Sequence, residues 1–438
     1  MKISTASLFI FIFVCCAFVT EPHFIENIAQ KLENFTQQYP QEKVYLHTDK
    51  PYYSVNDTLY FKAYLTHAEN NLPDSVSKVL YVDVLNKISG ETVVHKVFKA
   101  ENGYAQGDLF LKDTLAAGLY HLRAYTAWMR NFSDDFFFEK AFRLYNTDNK
   151  MASYDQSKLR TLAKVADFQF MPEGGHLVAD LDNRLAFKAT NALGKGVDTE
   201  GFILQNRDTV AHFGNIHLGM GYLNFKPENG KKYEAFVKDQ DGNISAVALP
   251  QVQAKGYVMT VDNLSNKENI KVYISQNLSN APENMGLIAQ QNGRVCASMP
   301  LKIGAKRLMV LVPRNSIEQN GLVQLTLFDA KNQPLAERLI YENKANHLNI
   351  SIGSNKKIYQ NREKIELSLQ VNDHEGKPVM GDFSLTATDA KQVIEETNTE
   401  NILSYQYLSS DLNTGELKGQ IEQPAYYFDK KMNRVMLT

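Results

Sequence analysis

Apolar and polar residues alternate through Val44-x-Leu46 and again through Leu59-x-Phe61-x-Ala63, two runs within the stretch Lys43–Tyr64. A period of two, rich in β-branched and aromatic residues and broken by Pro and Asn-Asp, predicts strand–turn–strand. The break consists of Asp49-Lys50-Pro51 followed by Ser54-Val55-Asn56-Asp57. Pro51 has no backbone donor, so Lys50-Pro51 belongs at a sheet edge or at a crossover between strands. A weaker copy of the whole pattern returns at Lys356–Leu369, with a Lys pair, then Tyr359, then a polar turn and an alternating strand. The simplest reading is one unit used more than once.

The same alternation marks Val79–Leu85, Thr92–Phe98, Gly107–Leu111, Gly118–Thr126 and Phe136–Tyr145 as strands, with turn signals at Asn86–Gly90 and Ala116–Gly118. Short strands at this spacing predict an all-β sandwich over residues 42–147. A glycine-led strand start then recurs. Gly118-Leu-Tyr120-His-Leu122 is echoed by Gly230-Lys-Lys-Tyr233-Glu-Ala235 and by Gly321-Leu-Val323-Gln-Leu325. The steps are 112 residues (230 − 118) and 91 residues (321 − 230), each about one immunoglobulin-type sandwich. In such sandwiches a Tyr ties down the corner where a strand begins.

The expected architecture is therefore all-β: tandem immunoglobulin-like sandwiches at 42–147, 167–250, 251–343 and 344–438. A polar, weakly helical linker spans 148–166. Apolar residues Phe24, Ile25, Ile28, Leu32 and Phe35 give a short amphipathic helix within 21–41, which Tyr39-Pro40 ends. In the last unit, Lys364–Val371 and Asp382–Thr388 read as strands, whereas Ala390–Glu396 and Ile402–Leu408 read as helical. Residues 415–431 read as an irregular loop, and the uncapped apolar stop at Val435–Thr438 reads as an incomplete unit.

The N-terminus changes the picture. Lys2 followed by the apolar run Leu8–Val19 is too short to span a bilayer but suits the h-region of a secretory signal, here residues 1–20. Cys15 and Cys16 invite a lipoprotein reading, although Ile12-Phe13-Val14 is bulky for a lipid-attachment box. Once that segment is removed, Cys296 is the only cysteine, so an exported chain would fold without a disulfide framework. The 438 residues allow three or four domains, and 44% hydrophobic with 22% charged residues is ordinary globular composition. With a formal charge of −2 and no basic run, nothing points to a nucleic-acid partner, and none is expected.

Catalytic signatures are missing: there is no G-x-S-x-G, no H-E-x-x-H and no phosphate-cradling glycine loop. No catalytic residue, metal ligand or cofactor is expected. Asp239–Asn243 has part of a calcium loop, but Ala248 stands where the bidentate Glu would be, so a hairpin turn is expected. Glu173-Gly174-Gly175-His176 could admit a ligand to the backbone; the plainer reading is a bend at the first strand of its unit. Cys296 reads as a small core residue. Trp128, Arg130 and Phe132, with Phe136-Phe137-Phe138 nearby, form the most aromatic patch and are a candidate binding surface alongside the reading as sandwich core and edge.

The stretch Val44–Leu65 resembles the opening of the second macroglobulin-like domain of the alpha-2-macroglobulin superfamily, whose hallmark is T-D-K-P-x-Y. Thr48, Asp49, Lys50, Pro51 and Tyr53 fit that hallmark. The likeness covers about Glu42–Tyr145 and extends to large exported proteins of Gram-negative envelopes, which this chain resembles. They share P-Q-E-K-V-Y-L-H-T-D-K (Pro40–Lys50), G-x-Y-x-L-R-A-Y-T-x-W-M-R-N-F (Gly118–Phe132), the P-E-G-G of Pro172–Gly175 and the pattern across Ser410–Phe428. Those proteins continue past M-L-T, some into a plug-like domain of TonB-dependent receptors, which implies that this chain is C-terminally truncated. The resemblance implies a periplasmic, outer-membrane or surface location and a protein partner at the envelope, such as an outer-membrane receptor or transporter, with the membrane met only by association. Protease-trapping members carry a C-G-E-Q thioester. Cys296 is followed by Ala-Ser-Met, so that bond cannot form. A non-enzymatic scaffold or binding module is thus the leading expectation. The alternative is a protease-interacting inhibitor without the thioester.

Overall fold

The computed structural model describes residues 24–146, 164–239, 241–279, 284–302, 306–344, 348–394, 397–412 and 421–428. The expected signal segment, Cys15 and Cys16, most of the linker and the last ten residues lie outside them.

Three sandwiches share one topology. In the first, β1 (Glu42–Thr48), β3 (Thr58–His67) and β6 (Tyr104–Phe110) form a sheet in the order β1-β3-β6. It faces a sheet of β2 (Tyr52–Ser54), β4 (Val79–Asn86), β5 (Thr92–Lys99), β7 (Gly118–Thr126) and β8 (Phe138–Tyr145), ordered β2-β8-β7-β4-β5. Alternation decides the packing. Val44, Leu46, Leu59, Phe61, Ala63 and Leu65 point into the core from one side, and Leu80, Val82, Val84, Tyr120, Leu122 and Phe138 meet them from the other. Burial stabilises each large side chain by roughly 2 kcal/mol.

The second sandwich has β9 (Asp167–Pro172), β11 (Asn183–Thr190) and β14 (Met220–Phe225) in one sheet. Its other sheet holds β12 (Glu200–Gln205), β13 (Asp208–Gly214), β15 (Glu234–Lys238) and β16 (Ile244–Val247). A short parallel pair, β10 (Leu177–Val178) with β17 (Val252–Gln253), closes its end. In the third, β18 (Tyr257–Asp262), β19 (Asn269–Gln276) and β22 (Arg307–Pro313) face β20 (Met285–Gln291), β21 (Arg294–Leu301), β23 (Gly321–Asp329) and β24 (Pro334–Glu342). Counting without β2 and β10, the first, second and fifth strands of every unit form one sheet. The fourth, third, sixth and seventh form the other, an immunoglobulin-like arrangement. Tyrosine corners are present in two units: the Tyr120 hydroxyl donates to the Ala116 carbonyl at 2.8 Å, and the Glu228 N–H donates to the Tyr233 hydroxyl at 2.8 Å. Val323 fills the same place in the third as a buried apolar residue.

Residues 344 onward depart from this plan. Among those described, the strands are β25 (Asn349–Ser354) and β26 (Leu367–Asn372), paired as an antiparallel ribbon. The strand expected at Asp382–Thr388 is corrected: those residues are extended without ladder partners and lie against the first sandwich. Lys62 ion-pairs with Asp382 at 3.2 Å, and the Tyr64 and Ser384 hydroxyls are 2.7 Å apart. A strand needs a neighbour for its backbone groups, and the sixth strand that would accept this one is not formed among the described residues. The helix expected at Ala390–Glu396 is also corrected over residues 390–394, its last two residues lying outside the described ones. Residues 389–393 form a turn closed on the Asp389 carbonyl, and Tyr52 takes up the next backbone groups by donating to the Gln392 carbonyl and accepting from the Ile394 N–H.

Two helices tie the units together. Helix α1 (Phe24–Gln38) precedes β1 in sequence but packs on the third sandwich. Ile25 is fully buried there, and Gly286 on β20 makes room for it: a Cβ at that position would stand 2.5 Å from the Ile25 side chain. A second helix, α2 (residues 402–412), starts at a capping box in which Asn401 accepts from the Leu403 and Ser404 N–H groups and Ser404 returns a bond. Its middle turn, Tyr405–Ser409, is π-helical.

Candidate binding surface

The T-D-K-P-x-Y residues form a closed polar knot at the point where the chain leaves one sheet for the other. The Tyr53 hydroxyl donates to the Asp49 carboxylate at 2.7 Å and accepts from the Lys50 N–H at 3.2 Å. Asp49 also accepts from the Tyr60 N–H, and Thr48 donates to the Lys50 carbonyl while accepting from Lys140. The Lys50 ammonium lies over the Tyr53 ring and ion-pairs with Asp57 at 2.8 Å. Burial alone would raise the Asp57 carboxyl, but Lys50 and the Ser54 N–H outweigh it and hold the group below its ordinary value. Burial, reinforced by Asp49, pushes the Tyr53 phenol far up. Pro51 sits in the bend before edge strand β2, where no donor is required. Thr48, Asp49, Lys50 and Tyr53 are bonded to one another and to Asp57, Tyr60 and Lys140 around them, which makes the motif an anchor for the crossover.

The second copy repeats the core of this wiring 306 positions later (359 − 53). Tyr359 donates to Asn355 at 2.5 Å and accepts from the Lys356 N–H at 3.1 Å. Lys356 ion-pairs with Glu363, which also accepts from the Gln360 N–H as Asp57 does from Ser54. The left-handed turn residue matches as well, Asn56 at φ 65° and Arg362 at φ 64°. So does the ladder: Val44 pairs with Leu65 and Leu46 with Ala63, while Ile350 pairs with Val371 and Ile352 with Leu369.

Coverage is where the copies differ. In β1–β3 that face is sealed by the opposing sheet, and Leu46 and Ala63 are both 0% exposed. In β25–β26 the face carries Ile350, Ile352, Leu367, Leu369 and Val371, whereas the reverse carries Asn349, Ser351, Gly353, Ser368, Gln370 and Asn372. Ile350 is 54%, Ile352 56% and Leu369 46% exposed. The ribbon is amphipathic with its apolar side in water. Alternation alone could locate these residues, but it could not show that they stay uncovered.

The other candidates resolve locally. Trp128 is half-buried and its indole N–H donates to the Pro40 carbonyl at 2.6 Å, fixing the turn between α1 and β1. Its ring meets Phe132 edge-on, Phe132 is half-buried, and Arg130 is exposed. Cys296 is half-buried against the third core, and burial pushes its thiol up to about 11. Asp239–Asn243 is the turn of the β15–β16 hairpin, with the Asp239 carboxylate held by Asn243.

Sequence reasoning placed Glu173 in a loop that could admit a ligand to the backbone or, more plainly, in a bend. It is instead a buried carboxylate at the junction of the second and third sandwiches. Arg184 of β11 lies 3.4 Å from it, Arg338 of β24 lies 3.2 Å away, and the Val261 N–H of β18 donates at 3.0 Å. Gly174, at φ 85°, places its carbonyl on the Glu337 N–H. A Cβ there would stand 3.1 Å from the Met259 backbone, so close approach of the two units requires glycine. The C-terminal residues were equally illegible. Tyr405 inserts into the first core between Tyr45 and Phe138, and buried Lys43 pairs with Asp411 at 2.5 Å. Glu422 accepts from the Gly196 N–H of the second sandwich, Tyr426 stacks on His217 at 4.2 Å, and Phe428 meets Tyr341 of the third.

No protein-family model and no curated protein matches the chain. Among solved structures it is similar to native Escherichia coli alpha-2-macroglobulin, at 11% identity over 77% of this chain and 25% of that one, with a TM-score of 0.21. Salmonella alpha-2-macroglobulin reacted with methylamine is similar at 12% identity over 76% of this chain and 25% of that one, TM-score 0.20. Dimeric latent PorU from Porphyromonas gingivalis is similar at 9% identity over 69% of this chain and 34% of that one, TM-score 0.30. The chain spans about a quarter of the length of those alpha-2-macroglobulins. Its class, a multi-domain all-β protein of tandem sandwiches with a short N-terminal helix and a short C-terminal helix, rests on the sheets described above.

Proposed function

We propose that this is an exported, non-catalytic scaffold or binding module that holds a protein partner at the bacterial cell envelope. The observation that supports it is the contrast between two copies of one hairpin, the first sealed in a core and the second presenting its apolar face to water. An exposed apolar face beside an unpaired strand edge lets a partner gain both burial and backbone hydrogen bonds. The groups with the strongest interactions serve the fold: Glu173, Lys43 and Asp411 join units, and Asp49, Lys50 and Asp57 anchor a crossover. The partner class is an outer-membrane receptor or transporter of the TonB-dependent type, as the resemblance of Pro40–Lys50 and Gly118–Phe132 to envelope proteins implies.

Fractionation tests this reading. Cells expressing the full chain should retain it in the envelope through a receptor-type protein, and Ile352→Lys should release it. A chain that stays in the cytoplasm, or one whose Ile352→Lys variant is retained as the parent is, would sink the proposal. Slowed turnover of large substrates by proteases mixed with the chain would favour the inhibitor reading instead.

A further inference from the structure

The geometry points to a specific mode of engagement: the β25–β26 ribbon accepts an extended polypeptide strand from a partner, added antiparallel to the outer edge of β26. This rests on the binding role proposed above and deepens it. The first copy supplies the template. There β3 pairs with β1 on one side and with β6 on the other, from Thr58 opposite Phe110 to Tyr64 opposite Tyr104. In the second copy β26 has β25 on one side, and among the described residues no strand lies on the other. The Asn372–Pro378 bridge and the Val379 N–H bond to the Val371 carbonyl occupy only the far end of that edge. Leu367 and Leu369, which share the outward backbone direction of Val371, thus offer donors and acceptors next to the apolar face, the two features by which strand addition gains affinity and specificity.

Area decides among occupants. A fully exposed Ile or Leu side chain presents roughly 100 Å² of apolar surface. Ile350, Ile352, Leu367 and Leu369, each about half exposed, therefore offer on the order of 200 Å². Two copies of the chain set face to face would bury about twice that, well short of the ~1,200 Å² of a stable specific interface. A second copy is therefore disfavoured. A strand that pairs with the edge and continues the apolar face gains ladder hydrogen bonds as well as burial. Its chemistry follows from the register: alternating residues, every second one aliphatic or aromatic, and no proline.

The experiment uses the full chain and a fluorescein-labelled peptide of residues 101–111, which contains the β6 sequence, with a scrambled peptide as control. Saturable binding is expected, with slowed hydrogen exchange at the amides of Leu367 and Leu369. Leu369→Lys, on β26 itself, should weaken binding by at least about tenfold while leaving thermal unfolding unchanged, because the side chain is half exposed. Equal binding of the scrambled peptide, binding without edge protection, or no binding would overturn the proposal. So would an Ile352-dependent dimer in sedimentation, which assigns the face to a second copy. Ile352-dependent adhesion to phosphatidylcholine vesicles would overturn it too, assigning the face to lipid. If the peptide fails while Ile352→Lys still releases the chain from its envelope partner, the mode falls and the binding role stands.

Discussion

The Tyr53 hydroxyl lies 2.7 Å from the Asp49 carboxylate, and that bond closes the polar knot on which the chain crosses between the two sheets of its first sandwich. Tyr359 makes the equivalent bond to Asn355, but in water. The same hydrogen bond should therefore differ in worth at the two sites. Removing the hydroxyl from the half-buried knot costs Asp49 one of its donors and the Lys50 N–H its acceptor, whereas water replaces the bond at the exposed site. Tyr53→Phe is expected to lower stability by about 1–2 kcal/mol and Tyr359→Phe by less than about 0.5 kcal/mol, read from urea midpoints. Equal losses would show that the second copy is as enclosed as the first.

Glu173 holds Arg184 and Arg338 from two sandwiches, so its removal should loosen their junction. Breaking a buried ion pair costs about 3 kcal/mol at the lower end, which applies here because the arginines can reach water. Glu173→Gln should split urea unfolding into separate transitions for the second and third units. A single unshifted transition would show that the junction is held elsewhere. Gly174→Ala should act similarly, since φ 85° and the Met259 backbone both oppose a side chain.

Tyr405 fills space between Tyr45 and Phe138, and truncating a buried aromatic costs about 3–5 kcal/mol. The Lys43–Asp411 pair cannot hold α2 alone against that loss. Tyr405→Ala should therefore free α2 and expose residues 397–412 to limited proteolysis, leaving the three sandwiches intact by circular dichroism. Resistance equal to the parent's would show that the segment is held by its other contacts.

Burial pushes the Glu400 carboxyl above its ordinary value of 4.5, with the Ser409 hydroxyl and the Lys140 ammonium opposing it only in part. Tyr45 and Tyr405 are its aromatic neighbours. The folded chain then binds this proton more tightly than the unfolded chain, so stability rises as pH falls through the raised value toward 4.5. Burial raises Glu42 in the same direction. Asp57 acts oppositely, but its contribution is lost only below its ordinary 3.8. Relative to Glu400→Gln, the parent's urea midpoint should therefore climb from neutral pH toward about 4.5, while the His217 imidazole, which burial lowers, opposes that climb equally in both chains. An unchanged slope would exclude Glu400 as a source.

The sequence alone determined the strands, since period-two alternation dictates which side chains can be buried together. It also determined the crossover at Lys50-Pro51, the tyrosine corners at Tyr120 and Tyr233, and the second copy of the opening hairpin, because each depends on residues within a few positions of one another. Tertiary structure decided the rest. Whether Leu46 or Ile352 ends in a core depends on a sheet contributed from tens of residues away, and Asp382–Thr388 stays out of any ladder for want of a neighbour. Docking of α1 on β20, the meeting of Glu173 with Arg338 and the insertion of Tyr405 beside Tyr45 likewise join residues far apart in the chain. Local patterning supplies the faces; only packing selects which faces meet.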